Sequence, residues 1–278
     1  MDEVASKRLE SALKKLHTFY NPTEIGSFGI DEDYCFVGGT DKEIINPSTF
    51  SEALNHQDNT EREDWRDAIK KEFSNMIRRR VWRHTKKDQL TSNRQLIGNK
   101  WVFKKKRNGV FRVRLVGLGY SQIPGVDHQD NFSPVINEVT FRCVMVLAMI
   151  NNWVSEIVNV VTVFLYGDLD KLIFMTVPEG LDQYLKKNFE AEDCVVLEKS
   201  IYRLVQAARQ FHRKLIRTMT KDMGFSKCLA DKCLLSRKIT EGIVIVCIYI
   251  DNTLCIGDTI AVNKFKTKIK EYFETKEA

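Results

Sequence analysis

Ile243-Val244-Ile245-Val246-Cys247-Ile248-Tyr249-Ile250-Asp251-Asn252-Thr253-Leu254-Cys255-Ile256-Gly257 is the stretch on which the reading of this chain turns. An unbroken apolar run reaches the polar pair Asp251-Asn252, and after Thr253 a second apolar run follows. β-Branched residues dominate and the first run is too short for a long helix, so the stretch reads as two buried strands joined by a tight turn. Asp and Asn suit such a turn because their side chains bond nearby backbone and tolerate left-handed conformations. Taken alone, the stretch is satisfied by an ordinary hairpin with polar turn residues.

The chain around it has 278 residues, 43% hydrophobic and 29% charged. That length buries a substantial core, as one large domain or two small ones, and the composition fits a soluble globular protein. No apolar run approaches the ~20 residues that span a bilayer, so no membrane contact is expected. Met1-Asp2-Glu3 is acidic where a secretory leader is basic and then apolar, so a cytoplasmic or nuclear location is expected. The seven cysteines include no CxxC pair and no His partner at zinc spacing, and most read as reduced core residues. Charge is unevenly placed. Residues 1–64 hold six Lys/Arg against 14 Asp/Glu, whereas the remainder holds 37 against 23. A basic body with an acidic leader suits polyanionic partners, although charge alone is equally met by a merely basic domain.

Working outward, residues 4–16 place Leu9, Leu13 and Leu16 at helical spacing. Residues 20–50 are broken by Asn21-Pro22, Gly38-Gly39 and Asn46-Pro47, so residues 1–60 read as an acidic, partly disordered leader. Asp64 to Ile77 is expected to be a helix with Trp65, Ile69, Phe73 or Met76, and Ile77 on one face. Lys100, Lys104, Lys105, Lys106, Arg107, Arg112 and Arg114 are seven positive charges with no acid among them. Asn108-Gly109 between two strand-like runs is a type I′ hairpin signal, which puts these charges on a two-stranded projection. Such a hairpin either faces phosphates or is a solvated Lys-rich edge. Phe141 to Ile150 is apolar on nearly all sides and predicts a buried helix. A last amphipathic helix is expected after Gly257-Asp258, running through Phe273.

Several ordered segments resemble the reverse transcriptases of copia-type retrotransposons. Val158-Asn159-Val160-Val161-Thr162-Val163-Phe164-Leu165-Tyr166-Gly167-Asp168-Leu169 is similar to the family's D-V-K-T-A-F-L-x-G-x-L, and Tyr249-Ile250-Asp251-Asn252 to its Y-V-D-D. Trp65, Ala68 and Glu72 match W-x-x-A-x-x-x-E, and residues 100–122 match K-W-V-F-K-x-K…R-L-V-A-K-G-F-x-Q with Leu118 in place of a lysine. Gly125-Val126-Asp127-His128, Met175 to Gly180, Leu197 to Arg209, and Gly224-Phe225 with Asp231 follow in family order. The likeness covers roughly residues 65–275.

The resemblance implies an α+β fold of fingers and palm, an antiparallel palm sheet packed on helices, over residues 61–278. The family continues into a thumb and an RNase H domain, and neither is expected here. It implies RNA-directed DNA polymerisation on an RNA or DNA template-primer, with deoxynucleotide as substrate and Mg²⁺ as cofactor. It assigns the metal-binding carboxylates to the positions of Asn159, Asp251 and Asn252, so that Asp251 alone remains an acid. It assigns nucleotide contacts to Phe164 (as a steric gate), Gln206 and Tyr249, and contacts with nucleic acid or phosphate to Lys104, Lys105, Lys106, Arg112 and Arg114. Three further departures are Arg203 for a glycine, Val205 for a lysine and Ala208 for a proline, and arginine strains a turn that needs positive φ.

Two-metal phosphoryl transfer needs charged oxygen ligands around two Mg²⁺ ions. Asn in place of Asp at two of three positions removes two negative charges. Losing one preorganised electrostatic element commonly lowers a rate by roughly 10²–10³-fold. The expectation is a polymerase domain with activity lost or very weak. A non-catalytic nucleic-acid-binding protein and a non-functional element copy fit the same residues.

Overall fold

The computed structural model describes residues 45–90, 94–250 and 252–277. The helix expected over 4–16 and the acid Asp251 lie outside them. Helices and mainly antiparallel sheets divide into two compact units. One holds residues 132–163 and 212–277, the other 45–131 and 164–211.

In the second unit the chain begins with α1 (Phe50–Leu54), inside the stretch read as leader, and α2 (Asn59–Arg78). Asp58 caps α2 by accepting hydrogen bonds from the amides of Thr60 at 2.8 Å and Glu61 at 3.1 Å. Trp65, Ile69, Glu72, Phe73 and Met76 are buried. Ile77 was expected on this face but is 38% exposed. The reason is the helical period: Met76 lies about 20° around the axis from Trp65, and Ile77 about 120°. The buried face packs on the hairpin of β3 (Asn99–Lys105) and β4 (Phe111–Gly117). Trp65 sets its edge on Phe103 and Phe111, with centroids 5.6 and 4.6 Å apart, and Phe73 meets Trp101 at 5.0 Å.

The hairpin turn is not type I′. Gly109 has φ +79°, but Asn108 is not among the positive-φ residues, and type I′ needs both. Lys106 N–H bonds the Val110 carbonyl and Gly109 N–H bonds the Lys106 carbonyl, each at 2.9 Å. The loop is therefore Arg107-Asn108-Gly109, a turn followed by one left-handed residue. This register keeps Phe103, Val113 and Leu115 on the core face, a constraint the dipeptide alone does not carry. Strands β1 (Trp82–Lys86), β2 (Leu96–Ile97), β6 (Asp168–Thr176) and β7 (Asp193–Lys199) form a four-stranded sheet in the order β1-β7-β6-β2. A short helix α4 (Leu181–Leu185) follows β6, and α5 (Ala207–Arg217) follows β7.

The first unit is built on a six-stranded sheet in the order β12 (Thr275–Glu277), β5 (Val154–Val160), β11 (Asn252–Gly257), β10 (Gly242–Tyr249), β9 (Leu234–Ile239), β8 (Ser226–Lys227). At its centre β10 and β11 pair antiparallel, from Val244 opposite Gly257 to Tyr249 opposite Asn252. The two strands expected over 243–257 are thus present, and Val246, Cys247, Ile248, Leu254, Cys255 and Ile256 are fully buried. Helix α6 (Thr259–Ile269) buries Ala261, Val262, Phe265 and Ile269. It stops four residues before Phe273, and the chain then turns so that β12 can join β5. Helix α3 (Glu138–Ile150) is the larger correction. Phe141, Val144, Met145 and Ala148 are buried, but Val139, Val146, Leu147, Met149 and Ile150 are exposed, so the helix is apolar all round and covered on one side. Cys194, Cys233, Cys247 and Cys255 are buried, and Cys143 is exposed. Burial pushes the Cys233 and Cys255 thiols up to about 12.

Candidate functional site

The register of the six-stranded sheet lines up the residues singled out from sequence. Asn159 on β5 stands opposite Asn252 on β11, and Asn252 stands opposite Tyr249 on β10. On its other side Asn159 stands opposite Lys276 of β12. Directly opposed residues in antiparallel pairs share a face, with Cβ atoms about 5 Å apart. The row Lys276, Asn159, Asn252, Tyr249 therefore crosses one face of the sheet. Ile250, in the turn between β10 and β11, has φ +55°, an outlying conformation for a β-branched residue.

These residues do not suit a pair of divalent cations. Mg²⁺ seeks charged oxygen, and Asn159 and Asn252 each offer one neutral amide oxygen. The Asn159 Oδ1 atom is buried with no hydrogen-bond partner among the described residues. Lys276 adds a cation to the same row. Among the described residues no group of three His, Cys, Asp or Glu side chains could hold a metal. Asp251 lies outside the described residues. Two other acids of this unit are committed elsewhere. Asp258 accepts from the Ile243 amide at 2.7 Å. Asp231 accepts from the amides of Asn137 at 2.8 Å and Cys233 at 2.9 Å, anchoring the start of α3. A cleft of about 410 Å³ lined by Arg237, Val244, Lys264 and Phe265 opens on the opposite face of the sheet, because Val244 is five residues from Tyr249 along β10.

In the second unit the hairpin sorts its charges by face. Lys104 stands opposite Arg112, Val102 opposite Arg114 and Lys100 opposite Val116, so Lys100, Lys104, Arg112 and Arg114 share one face. Lys105 points the other way; its Nζ sits 2.8 Å from Glu61 and over the Phe111 ring at 4.9 Å. Lys105 is thus held by an internal carboxylate, and Lys106 lies at the turn. Like charges directly opposite each other weaken a strand pair, so the Lys104–Arg112 face is one on which an anion is stabilising.

Beneath that face lies Glu72, which the sequence reading matched to a motif without giving it a role. It is 5% exposed. Burial pushes its carboxyl up to about 7, against the lowering effects of a bond from the Leu115 amide and of Arg114, Arg112 and Arg79. Arg114 stacks over Tyr202 at 4.8 Å, and Tyr202 meets Phe164 edge-on at 5.3 Å. Phe164, the gate residue by resemblance, is 8% exposed and thus packs as a core side chain. Its carbonyl accepts a hydrogen bond from Ser200 Oγ. Gln206 is 1% exposed with its amide engaged at both ends: Nε2 donates to the Asp127 carbonyl at 3.1 Å, and Oε1 accepts from Gln122 at 3.1 Å. Arg203 has φ +65°, the left-handed conformation that its family counterpart, glycine, adopts freely. Its carbonyl would lie 2.1 Å from a Cβ on Gly119, which explains the glycine there.

The helical spacing of the buried α2 face could have revealed Glu72, an acid seven residues after Trp65 among apolar neighbours. Lys276 carried no such signal, because its three-residue strand is short and charged.

Comparison with known proteins bears on this arrangement. Residues 80–278 match the family described as Reverse transcriptase (RNA-dependent DNA polymerase). The Retrovirus-related Pol polyprotein from transposon TNT 1-94 of Nicotiana tabacum is 30% identical over 238 residues, 83% of this chain and 17% of that protein. The corresponding polyprotein from transposon RE1 of Arabidopsis thaliana is 30% identical over 201 residues, 70% of this chain and 13% of its own length. The Transposon Ty1-LR2 Gag-Pol polyprotein of Saccharomyces cerevisiae is 22% identical over 240 residues, 84% of this chain and 13% of that protein. The chain thus spans less than a fifth of the length of these relatives.

Proposed function

Because the chain belongs to the reverse transcriptase (RNA-dependent DNA polymerase) family, in its copia-type branch, we propose that it is a polymerase domain whose nucleotidyl-transfer chemistry is disarmed and whose hold on nucleic acid is kept. In this reading the six-stranded unit is the palm and the β3–β4 hairpin a finger. The ligand is an RNA or DNA template-primer. Paired Mg²⁺ ions in the family activate the attacking hydroxyl and neutralise the leaving phosphates. The row Lys276, Asn159, Asn252 does not fit them, so no step is assigned to metal here.

One observation carries the binding half of the proposal: Lys104 and Arg112 are cross-strand partners with Lys100 and Arg114 on the same face. Four cations held on one face by backbone pairing present positive charge to phosphates, and their affinity comes from counterion release. Tyr202 holds Arg114 from behind by stacking. The two amide-ended residues, Gln206 and Gln122, fix the turn at 204–206 rather than offering free donors.

The test is fluorescence anisotropy with a labelled RNA–DNA template-primer, run with EDTA and with Mg²⁺ over a range of salt. The expected result is binding that is indifferent to EDTA and whose log affinity falls linearly with log salt, with a slope of about −3 for three to four phosphate contacts. Absence of binding at low salt, or a requirement for Mg²⁺, would contradict the proposal.

A further inference from the structure

The cleft on the sheet face opposite the Asn159–Asn252 row takes no part in the proposed function. Its floor is apolar. Val244 of β10 and Ala261 and Phe265 of α6 are buried there, with Met223 and Phe225 from the segment before β8. Phe225 and Phe265 meet edge to face, with ring centroids 5.5 Å apart. The volume, about 410 Å³, lies within the ~300–1,000 Å³ typical of small-molecule sites.

The rim is cationic. Arg237 of β9 stands directly opposite Val244, so its side chain leaves the sheet on the cleft side. Lys264 and Lys268, one helical turn apart on α6, flank the opening. Both lysines already have acids: Lys264 pairs with Glu241, and Lys268 with Glu271 at 2.6 Å. Arg237 has no carboxylate partner among the described residues. It is close enough to Lys268 for its charge to work against that ammonium. A Cβ on Gly224 would lie 3.8 Å from the Arg237 Nε, which places the guanidinium beside the Met223–Phe225 wall. A guanidinium offers a planar fork of donors that matches a carboxylate or a phosphate, and here it stands over rings and aliphatic carbon.

We propose that this cleft binds a small anionic amphiphile, an apolar or aromatic body carrying one carboxylate or phosphate, with the head on Arg237 and the body on Phe225, Phe265 and Val244. The lysines widen the positive field but, being exposed and paired, contribute less than Arg237. Every residue invoked belongs to the unit of the six-stranded sheet, and none belongs to the hairpin or to the Asn159–Asn252 row. The proposal therefore stands whether or not the chain holds a template-primer.

The probes are naphthyl phosphate and naphthoate, with naphthalenemethanol as the neutral comparator. Each is titrated with the full chain and followed by NMR line broadening of its ring protons. Both acids are expected to bind the parent chain with a Kd of about 1 mM or below. Arg237→Gln weakens them about tenfold or more, and Arg237→Lys, which keeps the charge and loses the fork, falls between. Lys264→Gln, whose side chain is 55% exposed, weakens them by about threefold or less. The alcohol binds the parent chain about tenfold more weakly than the acids and binds Arg237→Gln equally, because the floor is unchanged. A preference for one acid identifies the head as phosphate or carboxylate. Equal affinity of the acids for the parent chain and Arg237→Gln would overturn the proposal. So would an alcohol that binds as tightly as the acids, or failure of both acids to bind at about 10 mM.

Discussion

In the β3–β4 hairpin Lys104 stands directly opposite Arg112, and in the β5–β11 pair Asn159 stands directly opposite Asn252. The geometry is the same and the electrostatics are opposed. Two cations face to face repel each other and weaken the strand pair, an effect that an anion between or above them relieves. Two carboxylates face to face, as the family has at the second pair, are tolerable only with bound cations. This chain keeps the first demand and has dropped the second. Neutral asparagines need no metal, whereas in the proposed function the hairpin cations meet phosphate. In the proposed function binding and chemistry are separable, because they are assigned to different strand pairs.

The sharpest way to break that contrast is to reverse the hairpin. Lys104→Glu with Arg112→Glu changes the charge presented to phosphate by four, and template-primer affinity is expected to fall about a thousandfold at 0.1 M salt. Anisotropy with the same duplex measures it. A loss of less than about tenfold would move the binding surface elsewhere.

A second prediction concerns the support under the hairpin. The carboxyl of Glu72 titrates at about 7 in the folded chain and near its ordinary 4.5 when unfolded. Between these values the folded state holds the extra proton, so stability falls as pH rises from about 4.5 to about 7. The full span corresponds to about 3 kcal/mol. Glu72→Gln removes this dependence, and denaturant unfolding at pH 5 and pH 8 would show a smaller difference than in the parent chain. An unchanged difference would remove Glu72 as its source.

The smallest expected effects are in the turns. Ile250 at φ +55° and Arg203 at φ +65° are each strained by about 1 kcal/mol relative to glycine. Glycine also loosens the unfolded chain, so Ile250→Gly and Arg203→Gly are expected to raise the melting temperature by only about 2 °C, Ile250→Gly by more. Thermal unfolding checks both. A fall at either position would show that the side chain makes contacts outweighing the strain.

How much of this was legible in the sequence follows from what each signal encodes. The β10–β11 pair was readable because a run of β-branched residues ends at polar turn formers, and that pattern reports local conformation directly. The strain at Arg203 was readable because a glycine was expected there. The hairpin was readable in outline, but Asn108-Gly109 suggested a two-residue loop. The observed loop is set by which side chains reach the core under α2, a tertiary constraint. Helix α3 was misread as buried all round because apolar composition does not say how many neighbours a helix has. Lys276 beside Asn159 was invisible, since strand pairing between residues more than a hundred positions apart leaves no local trace. The roles of Gln206 and Phe164 came from resemblance alone, and only coordinates reveal that both side chains are packed or hydrogen-bonded within their own unit.

The central claim is that two neutral residues in one row separate this chain from a working polymerase. Primer extension on an RNA template with Mg²⁺, comparing the unmodified chain with the Asn159→Asp, Asn252→Asp chain, tests it most directly. Restoring two charged ligands is expected to raise incorporation by about 10⁴-fold from background. The account predicts silence from the unmodified chain and extension by the restored one. Incorporation by the unmodified chain at a rate comparable to the restored one would contradict it.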